Sequence, residues 1–324
     1  MAQSNTNRAP AGTFQSNTSP KSNKQGKLCQ VRLFRLDDIP LVMDNLKWTT
    51  AAKLMRRWFD AQAYEMSKEE KGHDIPANQL PATYVDKQIV KMAWALQFSR
   101  IKQKYDILIQ PNYWNSPNGQ ARLNKLVVNA FKTAHTAGLC TVQGDILTWR
   151  FGDLSADVAE IETLYQVNVI SLGGKFDDLD DYYGSIGEAQ FKLAVSGQVT
   201  TTNSRHHIKI DKIGVYLHDT YEFRNSGVDQ PLGHWGFGGV RNKINTALYS
   251  LFDADVNINS KYKSVSCDVV VDEQEHQREN YFDVQNSDFS KYRTKHAKGG
   301  DFTIFSDVKA VTLASNIEVE LHNV

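Results

Sequence analysis

The chain has 324 residues, enough for one large or two ordinary domains with a sizeable buried core. Lysine plus arginine and aspartate plus glutamate number 37 each, so no net charge would attract the protein to nucleic acid or to an anionic membrane. The three cysteines lie far apart and form no CxxC pair, which argues against a disulfide scaffold and against a structural zinc site.

The hydropathy of the sequence predicts neither a transmembrane helix nor a secretory signal peptide. No apolar run approaches the ~20 residues that a transmembrane helix needs, and the amino-terminal residues lack the apolar core of a secretory signal peptide. We therefore expect a soluble chain without a transmembrane segment, made in the cytoplasm. Export from the producing cell would then require a secretion system that does not depend on signal peptides.

The first part of the chain is predicted to be mainly helical. Residues 1–28 are polar and lack an apolar cluster, which predicts a disordered tail, and residues 29–34 predict a short strand. A helix is predicted to begin after Thr49 or Thr50, because apolar residues recur with helical spacing at Ala51, Leu54, Met55 and Trp58. Residues 67–81 contain two prolines and predict an exposed linker.

The next segment mixes helical and extended patterns. Residues 84–109 favour a helix followed by a strand at 105–109, and residues 111–119 are interpreted as a loop. Within that loop, Tyr113 and Trp114 would either line a binding surface or cover the edge of the core. The clearest helix follows, with apolar residues repeating from Leu123 to Ala134 and with Gly138 as its terminating residue.

Beyond Gly138 the sequence is typical of strands. Alternating or β-branched residues between turn residues predict five strands, at 139–142, 146–151, 166–172, 190–201 and 208–217. Short helices are predicted at 179–186 and 242–251. We therefore predict an α+β fold in which a helical part, 29–138, packs with a mixed, mainly antiparallel β-rich part, 139–324, around one shared core.

One dense group of polar residues follows the strand that ends near Leu217. Asp219, Tyr221 and Glu222 lie at or just past this strand end, and two carboxylates that share a desolvated site acquire different pKa values. Several glycines bracket His234 and Trp235, which would let a loop fold back across the strand end. The alternative is an edge strand that runs into a solvated glycine-rich loop.

The second dense group occupies residues 286–308, where a helix, a Gly-Gly turn and a strand are predicted in succession. In the functional interpretation Asp301 and Asp307 are ligands or bases, and Arg293 and His296 bind an anionic substrate. In the structural interpretation Asp301 satisfies backbone amides of the turn. No motif assigns a metal or a cofactor.

These groups define the predicted site. Catalytic roles are assigned to Asp219, Tyr221, Glu222, His234, His296 and Asp301, and substrate binding is assigned to Arg241, Arg293 and Trp235. The prediction requires that both groups meet in space, because acid and base groups must reach one reacting centre.

Three segments also carry a resemblance. LMRRWF at 54–59, DTYEF with QPLGHWG within 219–236, and the segment 286–308 resemble an uncharacterised bacterial domain family often encoded near type VI secretion genes. The resemblance implies a role in competition between bacteria, with a secretion spike or a cognate neutralising protein as partner. It covers most of residues 30–320 and implies no reaction.

A shorter segment, DTYEF, is similar to the D-x-Y-D core of colicin M-type toxins, which cleave a lipid-linked peptidoglycan precursor. In that family the acids and a following His-Arg pair form the active site. Here Glu222 replaces the second aspartate, Trp235 follows His234, and Arg241 stands apart. The resulting hypothesis is a secreted antibacterial effector that hydrolyses an envelope or phosphorylated substrate. The alternative hypothesis is a non-catalytic adaptor or immunity-like binding protein of a toxin system.

Overall fold

The computed structural model describes residues 33–72, 74–174, 177–203, 205–223, 229–241, 264–272 and 275–320. The predicted tail at 1–28, most of the predicted strand at 29–34 and the predicted helix at 242–251 lie outside these residues.

The described residues contain ten α-helices: α1 (Ile39–Asn45), α2 (Thr49–Asp60), α3 (Lys68–Lys71), α4 (Met92–Ala95), α5 (Ser99–Leu108), α6 (Pro111–Trp114), α7 (Pro117–Thr136), α8 (Val158–Tyr165), α9 (Asp181–Ser185) and α10 (Asn286–His296). None of these helices is both long and apolar enough to span a bilayer.

The same residues contain twelve strands: β1 (Val85–Asp86), β2 (Thr141–Gln143), β3 (Ile146–Phe151), β4 (Gln166–Leu172), β5 (Ala189–Thr202), β6 (Arg205–Tyr221), β7 (Pro231–Gly236), β8 (Gly239–Arg241), β9 (Ser264–Asp272), β10 (Glu275–Gln285), β11 (Phe302–Phe305) and β12 (Lys309–Glu320).

The strands form two sheets. The larger sheet has the order β1-β11-β6-β5-β3-β2, with β12 also paired to β6 and β4 to β5. Its strand pairs are antiparallel except for β1 and β11, and the smaller sheet, β8-β7-β10-β9, is antiparallel throughout. The predicted α+β class, with a mixed and mainly antiparallel sheet, is confirmed.

Alternation along the two longest strands separates two apolar layers. On β5, Phe191, Leu193 and Val195 join the larger core, into which α2 places Leu54 and Trp58. The opposite face of β5 and β6 contributes residues to a smaller cluster that α8 covers. The middle strands of the large sheet are therefore buried on both faces, which makes any charged side chain on them unusual.

Between residues 105 and 119 two local predictions were wrong, each for an identifiable physical reason. The segment predicted as a strand at 105–109 lies largely in α5, where Ile101, Tyr105 and Leu108 form a buried helical stripe while Ile107 is 45% exposed. The helical period therefore outweighs the alternation of Tyr105 and Ile107.

The segment predicted as a loop at 111–119 contains α6 and the start of α7. Pro111 and Pro117 stand at the first helical positions, where the missing N–H of proline costs nothing and its fixed φ suits the helix. Trp114 is buried while Tyr113 remains exposed, so only Tyr113 is available to a ligand.

Candidate functional site

The two polar groups predicted to meet are neighbours in the large sheet. Strand β11 pairs antiparallel with the end of β6, with Phe302 opposite Tyr221 and Ile304 opposite Asp219. The ring of Tyr221 stacks on Phe302 at 5.1 Å between centroids, and its hydroxyl lies 3.6 Å from the sulfur of Met55. Tyr221 is thus part of the packing between the sheet and α2.

Three carboxyl groups at this strand end influence one another. Burial raises the pKa of Asp219 well above its ordinary value, and the charge of Glu222 raises it further. Glu222 forms an ion pair with Lys71 of α3. Burial also raises the pKa of Asp301, to about 6, although its hydrogen-bond donors and Arg293 oppose that effect.

Asp301 joins three separate parts of the chain. Its carboxylate, which is 1% exposed, accepts hydrogen bonds from the indole of Trp58 at 2.9 Å, from the Met66 amide at 3.0 Å and from Arg293. Arg293 in turn donates to the carbonyl of Gly299 at 2.8 Å. These donors are not the backbone amides of the Gly-Gly turn that the structural interpretation named. They nevertheless occupy both oxygens of the carboxylate, which suits a structural role for Asp301 better than that of a catalytic base.

The remaining predicted site residues lie elsewhere. His296, in the last turn of α10, is exposed beside the ring of Tyr292, at 4.4 Å between centroids. His234 and Trp235 lie on β7 and Arg241 on β8, so the expected loop around His234 is a strand of the smaller sheet.

Each of these residues in the smaller sheet has a neighbour of its own. The imidazole of His234 lies 3.9 Å from the carboxylate of Asp283. Trp235 packs edge-on against Trp48, and the guanidinium of Arg241 lies 4.9 Å from the centre of the Tyr281 ring. The structure therefore brings together Asp219, Glu222 and Asp301, and it places His234, Trp235 and Arg241 in the other sheet.

A second buried charged cluster lies on the opposite face of β5 and β6. The sequence places its His218 at the end of the strand, next to Asp219, but offers no reason to connect it with Lys192 or Glu162. Lys192 on β5, His218 on β6 and Glu162 on α8 converge there. The Nζ atom of Lys192 lies 2.8 Å from Glu162 Oε1 and 2.8 Å from His218 Nδ1, and that Nδ1 lies 2.9 Å from Glu162 Oε2. Lys192 and His218 are only 7% and 2% exposed.

Strand alternation explains why these side chains meet. Lys192 points away from the larger core that Phe191 and Leu193 enter, and its register partner on β6 is Tyr216. His218 projects from the same face two residues further along β6, and α8 covers that face with Glu162. A lysine within FKLAV was the available signal, because a strand buried on both faces rarely accepts one.

The cluster has strongly perturbed electrostatics. Burial acts to raise the pKa of Glu162, but the hydrogen bond to His218 and the charges of His218 and Lys192 outweigh burial and lower it to about 2. Burial lowers the pKa of Lys192 and that of His218, with Glu162 opposing the shift in both. Nδ1 of His218 holds one proton at most, so it either donates to Glu162 or accepts from Lys192.

Lys192 also lines a cavity of about 600 Å³ between the start of α7 and strands β4 and β5. Arg122 of α7 lines the same cavity and donates to the backbone and side-chain oxygens of Gln166 at 2.8 and 2.7 Å. Five carboxamide side chains complete most of the polar lining: Asn112, Asn118, Gln166, Asn168 and Gln190. The cavity is within the range that holds small ligands, and its charged lining is cationic.

Within the described parts of the chain, no three His, Cys, Asp or Glu side chains are grouped so that they could hold a metal ion. The charged side chains among the lining residues of the cavity are Lys192 and Arg122.

Comparison with known proteins places the chain in a family. Neither curated proteins nor solved structures give a significant match. Residues 34–321, which include both charged clusters, match a family described as "Family of unknown function (DUF6402)". The match spans most of the chain, and the protein therefore belongs to the DUF6402 family.

Proposed function

We propose that the protein is a hydrolase that binds a phosphorylated substrate in the cavity beside Lys192. The observation that carries this proposal is that a buried lysine, held by Glu162 and His218, lines a cavity. A titratable side chain whose pKa is shifted by burial and by charged neighbours, and which also faces a cavity, is a candidate active-site residue.

Substrate recognition would depend on the two cations. Arg122 presents a planar guanidinium at the cavity, a geometry that suits two oxygens of one phosphate. Lys192 adds a second positive charge. Glu162, which does not line the cavity, forms an ion pair with Lys192 and neutralises part of that charge. The net positive lining favours an anionic group and would stabilise negative charge that develops during hydrolysis.

Proton transfer would depend on the cluster. Because burial lowers the pKa of Lys192, its ammonium group is a stronger acid than that of an exposed lysine, and it donates a proton to the leaving oxygen as water attacks. The proton that the attacking water loses passes to the phosphate product, which returns a proton to the amine of Lys192. His218 Nδ1, 2.8 Å from Nζ, accepts a hydrogen bond from the ammonium group and orients it. Glu162 stabilises the positive charge during that transfer.

The biological setting we propose is competition between bacteria, with the protein acting as an antibacterial effector associated with type VI secretion. The support for this setting is the sequence resemblance of the segments at 54–59, 219–236 and 286–308. A toxic hydrolase would also need a cognate neutralising protein in the producing cell.

Growth of a sensitive bacterium tests the proposal. We expect growth to be inhibited when the full chain is expressed in the compartment that holds its substrate, cytoplasm or periplasm. The double variant Lys192→Met/Glu162→Gln removes the acid but keeps the cluster neutral, so it should fold and lose toxicity. Gln198→Ala, on the same strand outside the cavity lining, is the matched control and should stay toxic.

Two outcomes would contradict the proposal. One is unaffected growth in both compartments with confirmed expression of folded protein. The other is full toxicity of the double variant, which would show that Lys192 supplies no step of the reaction.

A further inference from the structure

We infer that the ligand of this cavity is a sugar phosphate, an inference that rests on the proposed function and names its substrate class. The cavity has two chemically different sides. Its cationic side suits the phosphate, and its carboxamide side suits the hydroxyl groups of a sugar ring.

The phosphate side consists of Arg122 and Lys192. Among the described residues that line the cavity there is no aspartate or glutamate, so no lining group repels an anion. Glu162 contacts Lys192 from outside the lining and leaves the guanidinium of Arg122 without a carboxylate partner in the cavity. Arg122 is held in place by two hydrogen bonds to Gln166, which limits the entropy lost when a phosphate binds.

The side chains that could bind a sugar are the lining carboxamides that are not already hydrogen-bonded to other protein groups. Gln166 accepts from Arg122 and donates to the Asn168 carbonyl, while Asn168 donates to the carbonyls of Tyr113 and Trp114. These two side chains are structural, because their hydrogen-bonding groups are used within the protein.

The other three carboxamides are available. Within the described parts of the chain, Asn112, Asn118 and Gln190 line the cavity but make no side-chain hydrogen bond. A carboxamide carries both a donor and an acceptor, which matches the paired donor and acceptor character of a hydroxyl group. Tyr113, 36% exposed, adds one aromatic ring against which the apolar face of a sugar can pack.

The same lining disfavours a phosphorylated lipid. Among the described residues that line the cavity, only Val167 and Val169 are aliphatic, so the cavity lacks the extended apolar surface that a lipid chain would require. Its volume of about 600 Å³ is ample for a sugar ring with its phosphate.

Calorimetric titration of the full chain tests the inference. The probes are glucose 1-phosphate, N-acetylglucosamine 1-phosphate and ribose 5-phosphate, compared with inorganic phosphate and with glucose. We expect at least one sugar phosphate to bind about tenfold or more tightly than either inorganic phosphate or glucose, since both sides of the cavity then contribute.

Variants assign the two sides. Asn118→Ala and Gln190→Ala should each weaken the sugar phosphate by about threefold to tenfold and leave inorganic phosphate unchanged. Arg122→Gln should weaken both ligands, and Arg122→Lys should restore part of the loss. Asn129→Ala on α7 and Gln198→Ala on β5 lie outside the cavity lining and serve as matched controls without effect.

The inference is overturned if inorganic phosphate binds as tightly as every sugar phosphate, or if no sugar phosphate binds. It is also overturned if the control variants weaken binding as much as Asn118→Ala. Sugar-phosphate binding together with unaffected bacterial growth would support the ligand class and contradict the effector role, so the two failures are distinguishable.

Discussion

Two buried charged clusters contact strand β6, and they differ in what can reach them. At the strand end, the Asp301 carboxylate accepts hydrogen bonds from Trp58, Met66 and Arg293, and Arg293 is itself bonded to Gly299. On the opposite face of β6, Lys192 is bonded to Glu162 and also lines a cavity. Perturbed pKa values occur in both clusters, so a shifted pKa alone does not distinguish a structural hydrogen-bond network from a ligand site. Access to a cavity separates them.

The largest expected effect tests whether the cluster around Asp301 has a structural role. Asp301→Ala removes the acceptor that the guanidinium of Arg293 and the indole of Trp58 share. Arg293 keeps Glu65 and the Gly299 carbonyl, and we expect a loss of about 3 to 4 kcal/mol in the free energy of unfolding. Urea denaturation measures it. The same substitution at the exposed Asp178 should change stability by less than about 0.5 kcal/mol. A small effect of Asp301→Ala would remove the distinction between the two clusters.

The contributions of Glu162 and Asp301 to the free energy of unfolding should change with pH in opposite directions. The pKa of Glu162 falls from 4.5 to about 2 on folding, so its contribution is present above about pH 4.5 and is lost as the pH falls towards 2. The shift corresponds to about 3 kcal/mol. The pKa of Asp301 rises from 3.8 to about 6, so its contribution is present below 3.8 and is lost as the pH rises through 6.

The measurement is the unfolding free energy of the wild type minus that of Glu162→Gln or Asp301→Asn, followed between about pH 3 and pH 7. The first difference should increase with pH and the second should decrease. If both differences in unfolding free energy changed with pH in the same direction, the assignment of opposite electrostatic environments would be refuted.

A smaller effect tests whether Lys192 and Glu162 act as a pair. Lys192→Met removes the ammonium partner of the partly buried Glu162 carboxylate, which keeps only its contact with His218 in this cluster, and should cost about 2 to 3 kcal/mol in the free energy of unfolding. Adding Glu162→Gln restores a neutral cluster and should recover most of that loss. Chemical denaturation of the wild type, both single variants and the double variant gives the interaction free energy between Lys192 and Glu162. Additive losses would show that the two side chains are independent.

The smallest expected effect concerns a residue predicted to be catalytic. His296→Ala removes an exposed imidazole that contacts Tyr292, so stability should change by less than about 0.5 kcal/mol and sugar-phosphate binding should not change. Thermal unfolding and calorimetry measure the two quantities. A large loss of binding would return the candidate site to α10.

Much of the secondary structure was predictable because the signal is local. The stripe formed by Ala51, Leu54, Met55 and Trp58 predicted α2, and β-branched alternation predicted β3 and β4 at their observed bounds. The error at Tyr105 arose where two periods fit the same short run of residues. The pairing of β11 with β6 brings the segment that follows Asp301 beside Asp219, whereas His234, Trp235 and Arg241 lie in the smaller sheet.

The sequence by itself determined many of the elements, the α+β class and the polar groups at the end of β6, because periodicity and turn residues act over a few positions. Only the tertiary structure decided which charges are buried together. Glu162, Lys192 and His218 are separated by 26 to 56 positions, and they meet through the pairing of β5 with β6 and the packing of α8 on that face. The environment of a charge depends on these distant neighbours, which local sequence patterns do not specify.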